Sequence, residues 1–137
     1  MCEDRLSKMS EETTRVAEGY VAGASLAFGV VLLTQEGVGA YYAWAGVGPE
    51  AISGGYVLAL FVVAHFVGGF LGGLLARRRS GEDTLRAGGV TALLAFVIEA
   101  LYNFVFAGTF FGNILAIGIL VTGSIIGAAS ASRSLRS

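Results

Sequence analysis

The chain has 137 residues, of which 55% are hydrophobic and 14% are charged, and its formal net charge is −1. Because soluble domains carry about 25% charged residues, a chain with a mean hydropathy of +0.73 is expected to use lipid as part of its solvent. The charge does not favour a nucleic-acid partner, and the single histidine and single cysteine, with no phosphate loop or catalytic motif, predict neither an enzyme nor a metal or cofactor site.

The first predicted membrane span covers residues 13–34 and follows a polar segment at 1–12. A helix needs roughly 20 apolar residues to cross about 30 Å of hydrocarbon, and this segment provides them. Ser10, followed by Glu11 and Glu12, favours a helix start, because acidic side chains are stabilised at the positive end of the helix dipole.

A loop is expected to follow the first span at residues 35–48. Gln35 and Glu36 interrupt the apolar run, and an aromatic cluster comes a few residues later. Its members are Tyr41, Tyr42 and Trp44. Amphipathic rings favour the membrane–water interface, so this loop is predicted to lie on the membrane surface, with a re-entrant segment as the alternative.

The second predicted span covers residues 50–76. It opens at Pro49, since proline fits the first turn of a helix, where its missing N–H leaves no bond unmade. No Asp, Glu, Lys or Arg occurs between Ala51 and Ala76, and three consecutive arginines, Arg77, Arg78 and Arg79, end the apolar run.

The third and fourth predicted spans cover residues 85–106 and 110–130. The stretch from 87 to 132 contains one formally charged residue, Glu99, and it is long enough for two crossings. The hairpin between the two spans is marked by turn-forming residues. These are Gly108, Gly112 and Asn113.

All nine lysines and arginines fall on one side of a chain that crosses four times. They are Arg5, Lys8, Arg15, Arg77, Arg78, Arg79, Arg86, Arg133 and Arg136. Because positive charge accumulates in cytoplasmic segments, the sequence predicts one all-α domain over residues 1–137. That domain is a four-helix transmembrane bundle in the cell membrane, with both termini and segment 1–12 cytoplasmic. The triple arginine at 77–79 is expected to fix the topology and to attract lipid headgroups.

Small residues are predicted to form the helix contacts, because apolar side chains gain little from one another inside lipid. The densest sets lie in spans two and four. They are Gly68, Gly69, Gly72, Gly73, Gly123 and Gly127. Packing within one bundle is the favoured interpretation, and a homodimer interface or a pore lining is the alternative.

Two ionisable residues lie deep in the predicted spans. His65 is 11 residues before Ala76 and Glu99 is 12 residues after Ala87, which places them about 17 and 18 Å from the arginine-bearing ends. We expect them to meet between antiparallel spans two and three. Two further polar residues could join them, namely Tyr102 and Asn103.

Two interpretations of this candidate buried polar site stay open. An isolated carboxylate at this depth costs about 2.5–3.5 kcal/mol on insertion scales, and burial favours the neutral forms of both groups. The pair is therefore either a structural hydrogen bond that fixes two helices or a proton- or cation-binding site. A metal or haem role for His65 is disfavoured, because the chain has no second histidine.

Length, four spans and glycine-rich helices over residues 13–131 resemble small four-span bacterial and archaeal membrane-protein families that have no assigned function. The favoured function is that of a structural or accessory bundle in the lipid bilayer, with a homo-oligomer or a larger membrane complex as the protein partner. The alternative is a small proton- or cation-coupled transporter or channel that uses Glu99.

Overall fold

Four helices make up the part of the chain that the structure describes. The structure is a computed structural model, and it describes residues 2–51, 53–108 and 114–134. The helices are α1 (Cys2–Trp44), α2 (Gly54–Ser80), α3 (Thr84–Ala107) and α4 (Ile114–Ser134), with a short 3₁₀ turn at Pro49–Ala51. All four are long and apolar enough to cross a membrane, which confirms the predicted all-α class and the four candidate spans.

Helix α1 is one continuous element of 43 residues, about 65 Å long at 1.5 Å per residue. The predicted loop at 35–48 is therefore wrong for residues 35–44, which are helical. Gly37 and Gly39 each cost only about 1 kcal/mol relative to alanine, and an unbroken helix satisfies every backbone hydrogen bond close to lipid. The helix gives way to a turn where Gly46 adopts a φ of 67°.

Helix α2 is shifted by four residues at both ends from the predicted span, because it runs over 54–80 instead of 50–76. Ser53 caps its start, where the serine Oγ accepts a hydrogen bond of 3.2 Å from the Tyr56 amide. Gly81 caps its end at a φ of 72° and donates its N–H to the Arg77 carbonyl. The arginines thus lie in the last turn, where cations complement the helix dipole.

Helices α3 and α4 follow the predicted order. The bounds of α3 lie within one residue of the predicted span, and its Asp83 cap accepts a hydrogen bond of 3.0 Å from the Arg86 amide. Helix α4 continues four residues beyond the predicted end at 130, to Ser134. Its predicted start at 110 and the hairpin residues Gly112 and Asn113 lie outside the described residues.

Helix α2 is the centre of the bundle. It packs most extensively against α4 and α1, while α3 packs against α4 and α1 and less extensively against α2. Within the described ranges α1 and α4 do not contact each other. The bundle is therefore a rhombus with α2 and α3 on its short diagonal, and the expected α2–α3 contact is the least extensive of those present.

The glycines of α2 lie on two faces that approach two different helices. A Cβ built on Gly68 would lie 2.6 Å from the carbonyl oxygen of Ala27 in α1, and one on Gly69 would lie 2.6 Å from that of Leu120 in α4. Gly72 meets α1 and Gly73 meets α4 in the same way. These four residues form two overlapping GxxxG motifs, Gly68/Gly72 and Gly69/Gly73, and the two motifs therefore serve two contacts inside one chain.

The glycines of helix α4 in turn lie against the backbone of α2. A Cβ on Gly123 would lie 2.5 Å from the carbonyl oxygen of Phe66, and one on Gly127 would overlap the carbonyl group of Phe70. Backbone therefore lies against backbone along the α2–α4 contact, as is typical of membrane helices associated through small residues.

The distribution of side-chain size is the inverse of that in a soluble protein. The buried apolar residues are mostly alanines, and Ala24, Ala27 and Ala95 form a cluster between α1 and α3. Large apolar side chains are exposed instead, among them Leu33, Leu85, Val105, Phe106 and Ile114. An apolar surface of this extent on four helices of spanning length indicates a multi-pass membrane protein.

Candidate buried polar site

The structure brings His65 of α2 and Glu99 of α3 into direct contact. Nε2 of the histidine lies 3.1 Å from Oε1 of the glutamate. His65 is fully buried, whereas the Glu99 side chain is 14% exposed. The pair is thus a hydrogen-bonded link across the short diagonal of the bundle.

Equal spacing from the α2–α3 turn explains why the two residues meet. His65 is 15 residues before Ser80, the end of α2, and Glu99 is 15 residues after Thr84, the start of α3. Two antiparallel helices joined by a short turn bring such positions to the same height, about 22 Å above it. The contact therefore follows from the register that the two helix caps set.

The second ring nitrogen of His65 is held by its own helix. Nδ1 lies 2.7 Å from the carbonyl oxygen of Phe61, one turn earlier. Because a carbonyl oxygen only accepts, Nδ1 carries a proton in this contact. The Phe61 ring also lies against the imidazole, with ring centroids 4.0 Å apart. These contacts leave Nε2 as the atom that faces Glu99.

The contact between Nε2 and Oε1 holds one proton. With Nδ1 protonated, either a neutral histidine accepts a hydrogen bond from a protonated Glu99, or an imidazolium donates to a carboxylate. A neutral histidine opposite a carboxylate would set a lone pair against a negative charge. Both allowed states have zero net charge, so the site can hold one proton and pass it between the two residues without charging the bundle.

Tyr102 and Asn103 do not join this pair. The Tyr102 ring packs against Phe28 of α1, with centroids 5.5 Å apart, and against Phe106, with centroids 4.6 Å apart. Among the described residues, neither the Tyr102 hydroxyl nor the half-buried Asn103 amide hydrogen-bonds to His65 or Glu99. Tyr102 belongs instead to an aromatic contact between α1 and α3.

The three predicted anchor arginines lie in the last turn of α2 and have different surroundings. Arg77 donates from Nη1 to the Gly81 carbonyl at 3.0 Å and so reinforces the helix cap. Arg78 and Arg79 are exposed. Across the turn, Arg86 forms an ion pair of 3.2 Å with Glu82.

Two buried hydroxyl groups were not singled out as site residues by the sequence. Thr91 of α3 and Ser124 of α4 are fully buried on the arginine side of the His65–Glu99 pair, and Thr91 is eight residues, or about 12 Å, before Glu99. In the part of the chain that the structure describes, neither hydroxyl has a hydrogen-bond partner. The only sequence signal is their placement among glycines and alanines.

The chain matches no protein-family model, no curated protein and no solved structure. Within the described ranges, no three His, Cys, Asp or Glu side chains cluster closely enough to hold a metal ion. The candidate site is a hydrogen-bonded His65–Glu99 pair inside a closely packed apolar bundle.

Proposed function

We propose that this chain is a structural or accessory protein of the cell membrane, in which the His65–Glu99 pair ties α2 to α3. The observation that carries the proposal is the filling of the interior by the chain itself. Glycines of α2 and α4 lie against backbone carbonyls of neighbouring helices, and His65 is fully buried. A bundle packed in this way is suited to a fixed shape.

The position of the pair supports a tying role. Small-residue faces hold α2 against α1 and α4, but the α2–α3 contact is the least extensive in the bundle. Hydrogen bonds between membrane helices are worth about 0.6 kcal/mol on average and up to about 1.7 kcal/mol. The link therefore stabilises the bundle where close packing contributes least.

The two ends of the bundle support an orientation with both termini in the cytoplasm. Arg77–Arg79 and Arg86 lie at the end that carries the α2–α3 turn. The opposite end carries an aromatic cluster in which Tyr42 and Tyr56 lie 6.3 Å apart between centroids. Positive charge favours the cytoplasmic face, and aromatic rings favour an interface.

The outer face of α3 supports a lipid or protein partner. Large, exposed apolar side chains recur on this face at intervals of four residues along the chain. The residues are Leu93, Val97, Leu101 and Val105. Because the glycine faces are filled within one chain, a homo-oligomer or a larger membrane complex would form through outward faces of this kind.

A flux measurement tests the accessory function. The purified protein is reconstituted in liposomes that contain a pH indicator, and a proton gradient is applied with and without a membrane potential. We expect the gradient to decay at the rate of protein-free liposomes, with no difference between wild type and Glu99→Gln. Decay that is faster and that depends on Glu99 would overturn the accessory function.

A proton- or cation-coupled transporter or channel is the second candidate. It is favoured by the partial exposure of Glu99, by the single transferable proton of the pair, and by the buried hydroxyls of Thr91 and Ser124 on the arginine side. Under this function the same liposomes would lose their gradient, and the Glu99→Gln variant would retain it.

A further inference from the structure

A groove runs along α1 at the arginine-bearing end of the bundle. It has a volume of about 820 Å³, and it is lined by one side of α1 from Met9 to Ala22 and by Arg79 from the last turn of α2. Ligand sites in proteins have volumes of about 300–1,000 Å³, so the groove is large enough for part of a small amphiphile.

Two opposite charges line this groove without pairing. Glu18 and Arg79 both border it, and both side chains are exposed. Among the described residues, neither Glu18 nor Arg79 has an oppositely charged side chain within an N–O distance of 4.0 Å. A separated anion and cation in one groove are complementary to a ligand that carries both charges.

The polar residues of α1 that line the groove all precede its innermost pair, Val21 and Ala22, although Met9 and Ala17 lie among them. The hydroxyl groups of Ser10 and Thr14 lie toward the N-terminal end of α1, whereas Val21 and Ala22 lie toward the middle of the bundle. Ser10 and Ala22 are 12 residues apart, which is about 18 Å along the helix. The Thr14 hydroxyl donates to the Ser10 carbonyl at 2.9 Å, which leaves its lone pairs to accept. A ligand that is polar at one end and apolar at the other matches this order.

We propose that the groove between α1 and Arg79 binds a zwitterionic phospholipid whose headgroup carries a phosphate and a primary ammonium group. Arg79 binds the phosphate, Glu18 accepts hydrogen bonds from the ammonium, and an acyl chain follows Val21 and Ala22. An anionic lipid fits less well, because its headgroup would set no positive charge against Glu18.

The groove on the opposite flank of α1 provides an internal comparison. It has a volume of about 470 Å³, and its arginine is Arg86. That guanidinium already forms an ion pair of 3.2 Å with Glu82, which borders the same groove. The cation on this side is therefore satisfied by the protein, so we assign the lipid site to the Arg79 side.

The proposal is tested by lipid retention. The full chain is reconstituted in nanodiscs with equal amounts of dioleoyl phosphatidylethanolamine and dioleoyl phosphatidylglycerol, and lipids retained after gentle extraction are counted by native mass spectrometry. We expect wild type to retain the ethanolamine lipid in preference. Glu18→Gln and Arg79→Gln should each lower that retention by about two- to fivefold, the range of one exposed ion pair.

Arg78→Gln is the matched control, because Arg78 is exposed on the same turn but does not line the groove. Loss of Arg78 should weaken only the general attraction of lipid headgroups to the arginine turn, so the preference for the ethanolamine lipid should stay as in wild type. All three variants should unfold at the same temperature, because the three side chains are exposed. Preference of wild type for the glycerol lipid, or equal losses in Arg78→Gln and Arg79→Gln, would overturn the proposal. These readouts do not depend on transport, so they stand apart from the liposome flux test.

Discussion

The proton between His65 and Glu99 determines how the pair responds to substitution. In the state in which Glu99 carries the proton, its carboxyl group donates to Nε2 of a neutral histidine. The Glu99→Gln amide can donate in the same way, and the free energy of unfolding should change by less than about 1 kcal/mol. Glu99→Leu leaves Nε2 without a donor and should cost about 1–3 kcal/mol. Reversible denaturation in detergent micelles measures both changes.

The double variant His65→Leu/Glu99→Leu is the control for this prediction. Replacing both partners of a buried hydrogen bond with apolar groups is often nearly neutral, so the double variant should be more stable than Glu99→Leu alone. If Glu99→Gln is instead as destabilised as Glu99→Leu, the pair is an imidazolium and a carboxylate, since an amide cannot replace the anion.

The sequence could predict the two members of the pair but not the geometry around them. Depth and helical face follow from counting residues, and they place His65 and Glu99 at one level. The proton on Nδ1 depends on the hydrogen bond to the Phe61 carbonyl. That bond depends on the rotamer of the His65 side chain, which residue spacing does not predict. Tyr102 was expected at the pair because it is three residues from Glu99, yet its ring packs on Phe28 of α1.

At the scale of the helix, close backbone contact predicts where glycine is required. Gly69→Ala places a Cβ 2.6 Å from the Leu120 carbonyl oxygen, so α2 and α4 must separate. We expect a loss of about 1–3 kcal/mol in the free energy of unfolding, as for other overpacked contacts. Gly118→Ala in α4 is the control, because no atom beyond its chain neighbours and the backbone of its own helix lies within 4 Å of its added Cβ.

The Gly118→Ala variant should be as stable as wild type or slightly more stable, since alanine is the better helix former. Thermal unfolding in the same detergent compares the two variants. Equal stability of Gly69→Ala and wild type would mean that α2 and α4 are not held at backbone contact.

Helix ends were less predictable than helix number. The polar pair Gln35 and Glu36 and the aromatic cluster suggested a loop after residue 34. Two polar residues interrupt an apolar run without ending a helix, however, and α1 continues to Trp44. The four-residue shift of α2 has a similar origin, because the helix begins after the Ser53 cap and ends at Gly81. Hydropathy marks where lipid begins, whereas caps mark where a helix begins.

For the whole molecule, the number of helices follows from hydropathy, but their arrangement does not. Four apolar segments are evident in the sequence, whereas the central position of α2 depends on which partner each glycine face meets. Gly68 and Gly69 are adjacent in the chain and contact different helices, α1 and α4. Spacing alone gives no preference for either partner, so the sequence predicted the antiparallel α2–α3 contact, which is present, but not the rhombus around it.

The proposed orientation of the whole molecule predicts opposite labelling at its two ends. In a Cys2→Ser background, Glu50→Cys lies at the aromatic end and Ser10→Cys lies in the charged first part of α1, and both positions are exposed. A membrane-impermeant maleimide should label the Glu50→Cys variant in intact cells and the Ser10→Cys variant only after permeabilisation. The Cys2→Ser chain, which has no cysteine, is the control.

Labelling of the Ser10→Cys variant alone in intact cells would reverse the orientation, because the arginine-bearing end would then face outward. Equal labelling of both variants in intact cells would mean that the chain inserts in both directions, against the one-sided distribution that the sequence predicts for its nine basic residues. In either case Arg77–Arg79 would not fix the topology. The groove beside Arg79 would then meet lipids of the outer leaflet in some or all of the molecules.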